Sequence, residues 1–324
     1  MAYYSKIYAN VIAKYDEGRL LSGEKLRRIA EADFADAVKM LADYGYGGGI
    51  ASPQSYDADA FITAETARLI EFVKEDCPGE ELKNCLLNRF YYSDAKVYYK
   101  RKFVNIDPRD ALYGCFPELE KAVDSGDYSA LPPFLADAYK ELNEKSLERV
   151  PPPKEIDAVL TRALCADNVY NAKKSRNRAL IKYVAFEIDF NNILTVYRFK
   201  KLGLDPETLS GELFAGGALG IDALTELYCA DPQKNDLPLL AADYAETVEK
   251  LAQTGDFTLA VRDSQDALYA FLAGGGENML SLSPFINYFL ARMNELRTIK
   301  TVLVCLKNNA RDEIPRRVGS FNYD

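Results

Sequence analysis

Three segments of this chain share one pattern of polar, apolar and basic residues, and they recur at about one third of its length. They span residues 91–102, 189–200 and 292–303 of the 324 residues. In each segment one polar residue precedes a second by three positions, and an apolar stretch and then basic residues follow. A pattern that recurs at a long, regular period is typical of chains built from repeated modules.

The second polar residue of each segment defines an anchor position: Asp94, Asn192 and Glu295. The anchor positions are 98 and 103 residues apart, so their spacing predicts three related modules. Chance is the alternative explanation, because apolar helices commonly end in basic residues that interact favourably with the helix dipole. The repeat by itself leaves both interpretations open.

Helical periodicity dominates the stretches between short breaks. Asp33 stands where a helix N-cap is expected, and Phe34, Val38 and Leu41 follow at the spacing of one helix face. Gly45 and the glycines after it are expected to end that helix. Proline and glycine breaks recur along the chain, with few alternating strand patterns between them. The sequence therefore predicts an all-α fold of helices joined by short polar loops.

The chain contains no histidine, and this absence removes whole classes of catalytic chemistry. Ser-His-Asp and Cys-His nucleophile pairs, His-Glu-x-x-His zinc sites and His-ligated haem all need the missing residue. The six cysteines form no Cys-x-x-Cys pair, so we expect reduced, mostly buried thiols. No Asp-Asp-x-x-Asp magnesium motif occurs, which argues against a helical enzyme of the isoprenoid-synthase kind.

The formal net charge of −9 disfavours binding to nucleic acid or to an anionic membrane surface. No stretch approaches the ~18 apolar residues of a membrane span, so membrane contact is expected only through another protein. The first residues also lack the apolar core of a signal peptide, and a cytoplasmic location is therefore expected.

One basic cluster departs from this acidic balance. Lys173, Lys174, Arg176, Arg178 and Lys182 follow one another without an acidic residue between them. A solvated helix face is the simpler interpretation, and a docking site for an acidic protein partner is the alternative.

Two polar pairs at helical spacing are candidate sites. Asp189 and Asn192 lie one helical turn apart beside an apolar stripe, and Arg292 and Glu295 have the spacing of an i, i+3 ion pair. A catalytic carboxylate is one interpretation. We favour buried, hydrogen-bonded groups that fix how helices meet, because no metal-ligand cluster or convergent acid accompanies them.

Four segments follow one another along the chain. Residues 4–22 end in Gly-Arg-Leu-Leu-Ser, and residues 26–47 end in Tyr-Gly. Residues 188–198 contain Asp-x-x-Asn and a following Arg, and residues 291–300 contain Arg-Met-Asn-Glu-Leu-Arg. In this order they resemble the C subunit of archaeal and bacterial V/A-type ATPases, the counterpart of the d subunit in the eukaryotic enzyme. They are similar to the first helix of that family with the turn after it, its helical hairpin, its central Asp-x-x-Asn segment and its C-terminal Arg-Glu-Asn-Glu-Ile-Arg segment. The resemblance covers essentially the whole chain.

The resemblance implies three similar helical subdomains arranged as a pseudo-threefold funnel, here the modules 1–106, 107–205 and 206–324. It implies a non-catalytic rotor subunit that receives the central stalk, with its D-type and F-type subunits, and sits on the membrane proteolipid ring. The location would be the cytoplasmic, inner face of the membrane, without direct insertion. No catalytic, cofactor-binding or metal-binding residue is expected. Structural roles are expected for the polar residues of the recurring segments, namely Asp94, Asp189, Asn192, Arg198, Arg292, Glu295 and Arg297.

Two other functions remain open at the level of sequence. An all-helical adaptor unrelated to rotary ATPases would share the composition but not the ordered segments. An all-helical enzyme would require a deep pocket with converging ionisable groups.

Overall fold

The computed structural model describes residues 2–47, 58–103, 112–229, 245–273 and 280–318. Every regular element within these ranges is helical, which confirms the all-α prediction. The elements in chain order are α1 (Ala2–Glu17), α2 (Gly23–Glu31), α3 (Phe34–Asp43), α4 (Ala58–Asp76), α5 (Glu80–Arg101), α6 (Pro117–Ser125), α7 (Pro133–Glu148), α8 (Pro153–Ser175), α9 (Arg178–Leu202), α10 (Pro206–Glu212), α11 (Ile221–Cys229), α12 (Ala245–Thr254), α13 (Phe257–Ala273), α14 (Ser283–Lys307), a 3-10 turn (Arg311–Glu313) and α15 (Ile314–Arg317).

Local sequence signals set where several helices begin and end. The Ser22 hydroxyl accepts from the N–H of Lys25 at the start of α2, which satisfies one of the free donors of the first turn. Gly203 ends α9 in a left-handed conformation (φ 61°). Asp33 occupies the predicted N-cap position of α3, but its side chain forms no capping hydrogen bond there. The predicted end of that helix is correct, since Gly45 follows it with φ 88°.

The chain divides into two compact units, and the first consists of Met1–Pro78 together with Asp231–Asp324. In this unit α14 packs against α1, α4 and α13 and also contacts α2 and α3. Since α2, α3 and α4 each present an apolar face to α14, one core forms among them. Its buried side chains include Leu26, Ile29, Val38, Leu41, Phe61, Ile299, Val302, Leu303 and Leu306.

The second unit is Gly79–Ala230, and it is built on the packing of α5 along α8. Helix α8 also contacts α7 and α9, while α10 and α11 pack on α9. The α5–α8 contact contains a row of amide and carboxyl pairs that we call the polar seam. Its side-chain hydrogen bonds join Asn84 to Asn171 (3.2 Å), Asn88 to Asn168 (2.9 Å) and Tyr92 to Asp167 (3.2 Å).

The three recurring sequence segments lie on the long helices α5, α9 and α14, the first running one residue past the end of α5. The predicted modules 1–106, 107–205 and 206–324 are repeats of one helical substructure. They are a different kind of division from the two compact units, which are defined by contacts within each unit. Both the division into modules and the pseudo-threefold funnel stay predictions.

Candidate functional site

The long helices α5, α9 and α14 each bury the anchor position that the sequence pattern defines. Asp94, Asn192 and Glu295 have exposed fractions of 0%, 0% and 1%, and Asp189 is equally buried. Buried polar groups of this kind are stable only when they are hydrogen-bonded. Their partners therefore indicate what each residue does.

Asp94 on α5 accepts hydrogen bonds from two successive backbone N–H groups in the segment that leads into α6. The distances are 2.9 Å from the N–H of Tyr113 to Oδ1 and 3.2 Å from that of Gly114 to Oδ2. Burial raises the pKa of the Asp94 carboxyl to about 6, and the two N–H donors act in the opposite direction. The carboxyl thus holds the segment before α6 against α5.

Asp189 on α9 makes the same kind of contact with the segment before α11. Its carboxylate accepts from the N–H of Ala218 at 2.9 Å and from that of Leu219 at 3.0 Å. The approach is so close that a Cβ on Gly217 would lie 1.9 Å from Asp189 Oδ1. Glycine is therefore required at position 217 for steric reasons.

Both polar atoms of the Asn192 side-chain amide form hydrogen bonds with the backbone of one residue, Phe214. Its Nδ2 donates to the carbonyl of Phe214 at 2.8 Å, and its Oδ1 accepts from the N–H of Phe214 at 2.8 Å. This reproduces the two hydrogen bonds of a backbone ladder within a helical unit. Asp189 and Asn192 together fix residues 214–219 on α9.

Glu295 on α14 lies in a buried charged cluster with Arg292, Glu65 and Tyr46. Its Oε1 accepts from the N–H of Leu21 at 2.6 Å and from the Tyr46 hydroxyl at 2.8 Å. Its Oε2 accepts from Arg292, so the predicted i, i+3 ion pair between these two residues is present. Burial raises the pKa of Glu295, whereas the Arg292 charge acts to lower it.

Arg292 bridges two carboxylates that lie far apart in the sequence. Its Nη2 is 2.7 Å from Glu65 Oε2, and Glu65 on α4 has an exposed fraction of 1%. The guanidinium also lies over the Tyr46 ring, 4.7 Å from its centroid. Glu65 in turn accepts from the N–H of Gly47 at 2.8 Å, which ties the end of the α2–α3 hairpin to α4.

The last two residues with an expected structural role are placed differently. Arg198 on α9 is exposed, and Arg297 on α14 is half-buried. Neither is enclosed as the anchor positions are. Their structural roles stay predictions.

Sequence reasoning missed Glu65, Tyr46 and the backbone of Leu21 as partners of the Arg292–Glu295 pair. The sequence did offer a signal for Glu65, because it is an acidic residue on an otherwise apolar helix face. Phe61 and Leu69 lie four residues before and after it on α4, and both are buried. Nothing local marked Leu21, since its contribution is a backbone N–H. The polar seam was also missed, although its α5 members Asn84, Asn88 and Tyr92 recur every four residues.

A cleft of about 430 Å³ opens beside the charged cluster of the first unit. Its lining includes Tyr44, Glu65, Arg68, Phe72, Tyr288 and Arg292. Both oxygens of Glu65 are engaged, one with Arg68 at 2.9 Å and the other with Arg292. Because arginines engage both of its oxygens, the Glu65 carboxylate suits a packing role better than proton transfer.

Within the ranges that the structure describes, no three Cys, Asp or Glu residues converge as metal ligands. The structure describes the side chains of five cysteines, Cys77, Cys85, Cys115, Cys165 and Cys305, as reduced thiols, and of these five Cys85 and Cys305 are buried. Burial raises the pKa of the Cys165 thiol to about 12, so that this sulfur stays protonated and unreactive. None of the described helices combines the length and apolar character that crossing a bilayer demands.

Comparison with known proteins decides the family. The model of the ATP synthase (C/AC39) subunit family matches residues 9–317. The chain belongs to this family. The C/AC39 match therefore covers both compact units and all three recurring segments, as the sequence resemblance predicted.

Relatives of the C/AC39 chain are distant but extend over most of its length. It is 22% identical to the C subunit of the A-type ATP synthase of Pyrococcus horikoshii, over 94% of this chain and 88% of the relative. It is 20% identical to the C subunit of the V-type sodium ATPase of Enterococcus hirae, over 93% of both chains. It is also 23% identical to the C subunit of the V-type ATP synthase of Thermus thermophilus, over 62% of this chain and 65% of the relative.

Proposed function

We propose that this chain is the non-catalytic rotor subunit that links the central stalk of a V/A-type rotary ATPase to its membrane proteolipid ring. Family membership makes it a subunit of such an ATPase, and relatives are named for both ATP synthesis and sodium transport. In this proposal D-type and F-type stalk subunits and the proteolipid ring are its partners. It acts at the cytoplasmic face of the membrane and performs no chemistry of its own.

The observation that carries this proposal is a recurring brace between a long helix and the segment that precedes a shorter one. Asp94 on α5 binds the backbone just before α6, Asp189 on α9 that just before α11, and Glu295 on α14 that just before α2. Torque transmission needs stiffness rather than a reactive group. Charge-assisted hydrogen bonds to buried backbone provide stiffness, because such bonds are strong where water is excluded.

The recurrence also supports three related modules, and we propose that they are arranged about a common axis. In this arrangement Asp189 matches Asp94 more closely than its neighbour Asn192 does, because each of the two carboxylates accepts from two successive backbone N–H groups. Asn192 then adds a second contact to the same segment.

A reconstitution experiment tests the function. Membranes carrying the ATPase are stripped of this subunit, and ATP hydrolysis and ATP-driven ion transport are measured before and after the purified chain is added. We expect the stripped complex to hydrolyse ATP without transport and the added chain to restore transport. Transport that is the same with and without the chain would refute the proposal.

The isolated chain allows the alternative of an all-helical enzyme to be tested. We expect Asp189→Ala to weaken folding or assembly and to eliminate no turnover. A reaction catalysed by the purified chain and lost in this variant would favour the helical-enzyme alternative instead.

A further inference from the structure

The basic cluster lies on one turn of the second unit. Lys173 and Lys174 lie in the last turn of α8, and Arg176 follows at its C-cap. Helix α9 begins with Arg178 and contains Lys182 one turn later. All five side chains are exposed. We call this group the basic turn.

Two residues of the basic turn stand where the fold itself favours other residue types. Arg176 adopts a left-handed conformation (φ 53°), which glycine or asparagine occupies with less strain. Arg178 lies in the first turn of α9, where the helix dipole favours an acid. The first turn of α9 contains no acidic residue to offset Arg178, a property that it shares with α1, α7, α13 and α14.

Placements that oppose local preference are expected where a residue serves a function outside the fold. Lys173 and Lys174 need no such explanation, because cations are favoured in the last turn of a helix. Arg176 and Arg178 do need one. A solvated helix face accounts for exposure but not for two arginines in unfavourable positions.

The surroundings of the basic turn fit a protein ligand. Tyr170 and Ile181 expose 53% and 39% of their surfaces beside the cations, one four residues before Lys174 and the other three after Arg178. Glu81 on α5 is an acid that reaches the turn, 3.4 Å from Lys174. Cations interspersed with exposed apolar side chains are suited to binding carboxylates and a small apolar contact together.

We propose that the basic turn, with Tyr170 and Ile181, is the docking surface for an acidic segment of another subunit of the same ATPase. This inference rests on family membership and not on the rotor role. Charge complementarity selects an acidic partner, and arginine favours carboxylates because its planar donors bind both oxygens. A protein segment is favoured over a lipid surface because the rest of the chain is even more acidic than its net charge of −9. An extended anionic membrane would repel it, whereas a single segment senses only charges within about 8 Å.

Zero-length crosslinking of the assembled complex tests the contact directly. A carbodiimide joins lysine amines to carboxylates that they already touch, and mass spectrometry then identifies the joined peptides. We expect Lys173, Lys174 or Lys182 to be joined to an Asp or Glu of another subunit. Crosslinks from these lysines to acids of this chain alone, such as Glu81, would overturn the proposal.

A pair of substitutions separates docking from folding. Arg176→Gly and Arg178→Glu together relieve both local conflicts, so the thermal midpoint of the isolated variant should not fall below that of the wild type. Its competition with the wild-type chain for incorporation into the stripped complex should nevertheless weaken by about tenfold or more. Lys140→Glu, on the exposed face of α7, is the matched control and should compete normally.

Two results would refute this inference and leave the rotor proposal intact. One is that the Arg176→Gly, Arg178→Glu variant incorporates normally into a stripped complex in which the wild-type chain restores ATP-driven ion transport. The other is that the isolated wild-type chain sediments with vesicles of phosphatidylserine and phosphatidylcholine, whereas the variant does not. That second result would assign the basic turn to anionic lipid instead of protein.

Discussion

Replacement of Arg292 by methionine tests whether the buried charged cluster stabilises the first unit. Methionine keeps an unbranched apolar stem but leaves Glu65 and Glu295, each with an exposed fraction of 1%, without the cation between them. Breaking a buried ion pair by removing one partner costs about 3–5 kcal/mol, because an uncompensated charge stays buried. The cation–π contact with Tyr46 is lost as well, at about 0.5–2 kcal/mol. We therefore expect a loss of at least about 3 kcal/mol in the free energy of unfolding.

Arg68→Met is the matched control because Arg68 pairs with the same Glu65 at 2.9 Å but has a 53% exposed side chain. An exposed ion pair contributes about 0–1 kcal/mol, so this variant should stay close to the wild type. Urea unfolding followed by circular dichroism gives the two free energies. Hydrogen exchange at α4 and α14 shows whether the loss arises in the first unit.

The pH dependence of Arg292→Met supplies an independent check. Burial already raises the pKa of Glu295, and removal of the guanidinium should raise it further. A carboxyl with a raised pKa destabilises the folded state above that pKa, and the cost disappears as pH falls through it. The deficit should therefore be smaller at pH 5 than at pH 7.5. A deficit no larger than that of Arg68→Met, or one that does not change with pH, would refute the account of the cluster.

Three further substitutions test the braces of the second unit. The wild type should lose about 1–3 kcal/mol of stability as pH rises from 4 to 7, because the Asp94 pKa of about 6 in the folded protein lies above the ordinary carboxyl value. Asp94→Asn should remove this loss, and urea midpoints measured across the pH range test it. Gly217→Ala should lower the thermal midpoint by several degrees, because the new Cβ would collide with Asp189 Oδ1. Asn192→Leu should leave the N–H and carbonyl of Phe214 unpaired, at about 1–3 kcal/mol, and should accelerate amide exchange at Phe214.

Neighbouring positions provide the controls for these substitutions. Gly211→Ala in α10 meets nothing within 4 Å and should be neutral or slightly stabilising. Asn191→Ala on the exposed face of α9 should leave exchange at Phe214 unchanged. Equal pH profiles for Asp94→Asn and the wild type would show that burial does not raise the Asp94 pKa, and equal midpoints for the two glycine variants would show that a Cβ is tolerated beside Asp189.

Local signals determined the helices and drew attention to the residues that the structure buries. The apolar spacing of Phe34, Val38 and Leu41 predicted α3, and the i, i+3 spacing of Arg292 and Glu295 predicted their ion pair, because both depend only on helix geometry. Asp33 occupies the N-cap position that the sequence predicted, but local sequence did not determine whether its side chain forms a capping hydrogen bond, since a side-chain rotamer also depends on its surroundings. The order of the segments over the whole chain indicated the family.

Tertiary structure alone decided which distant groups the buried residues contact. Glu65 and Arg292 are separated by 227 positions, and Leu21 and Glu295 by 274, so no local pattern relates them. The same holds for Asn88 and Asn168, which meet only because α5 packs along α8. A helix determines its own buried face by periodicity, but the partner of that face follows from how the helices pack.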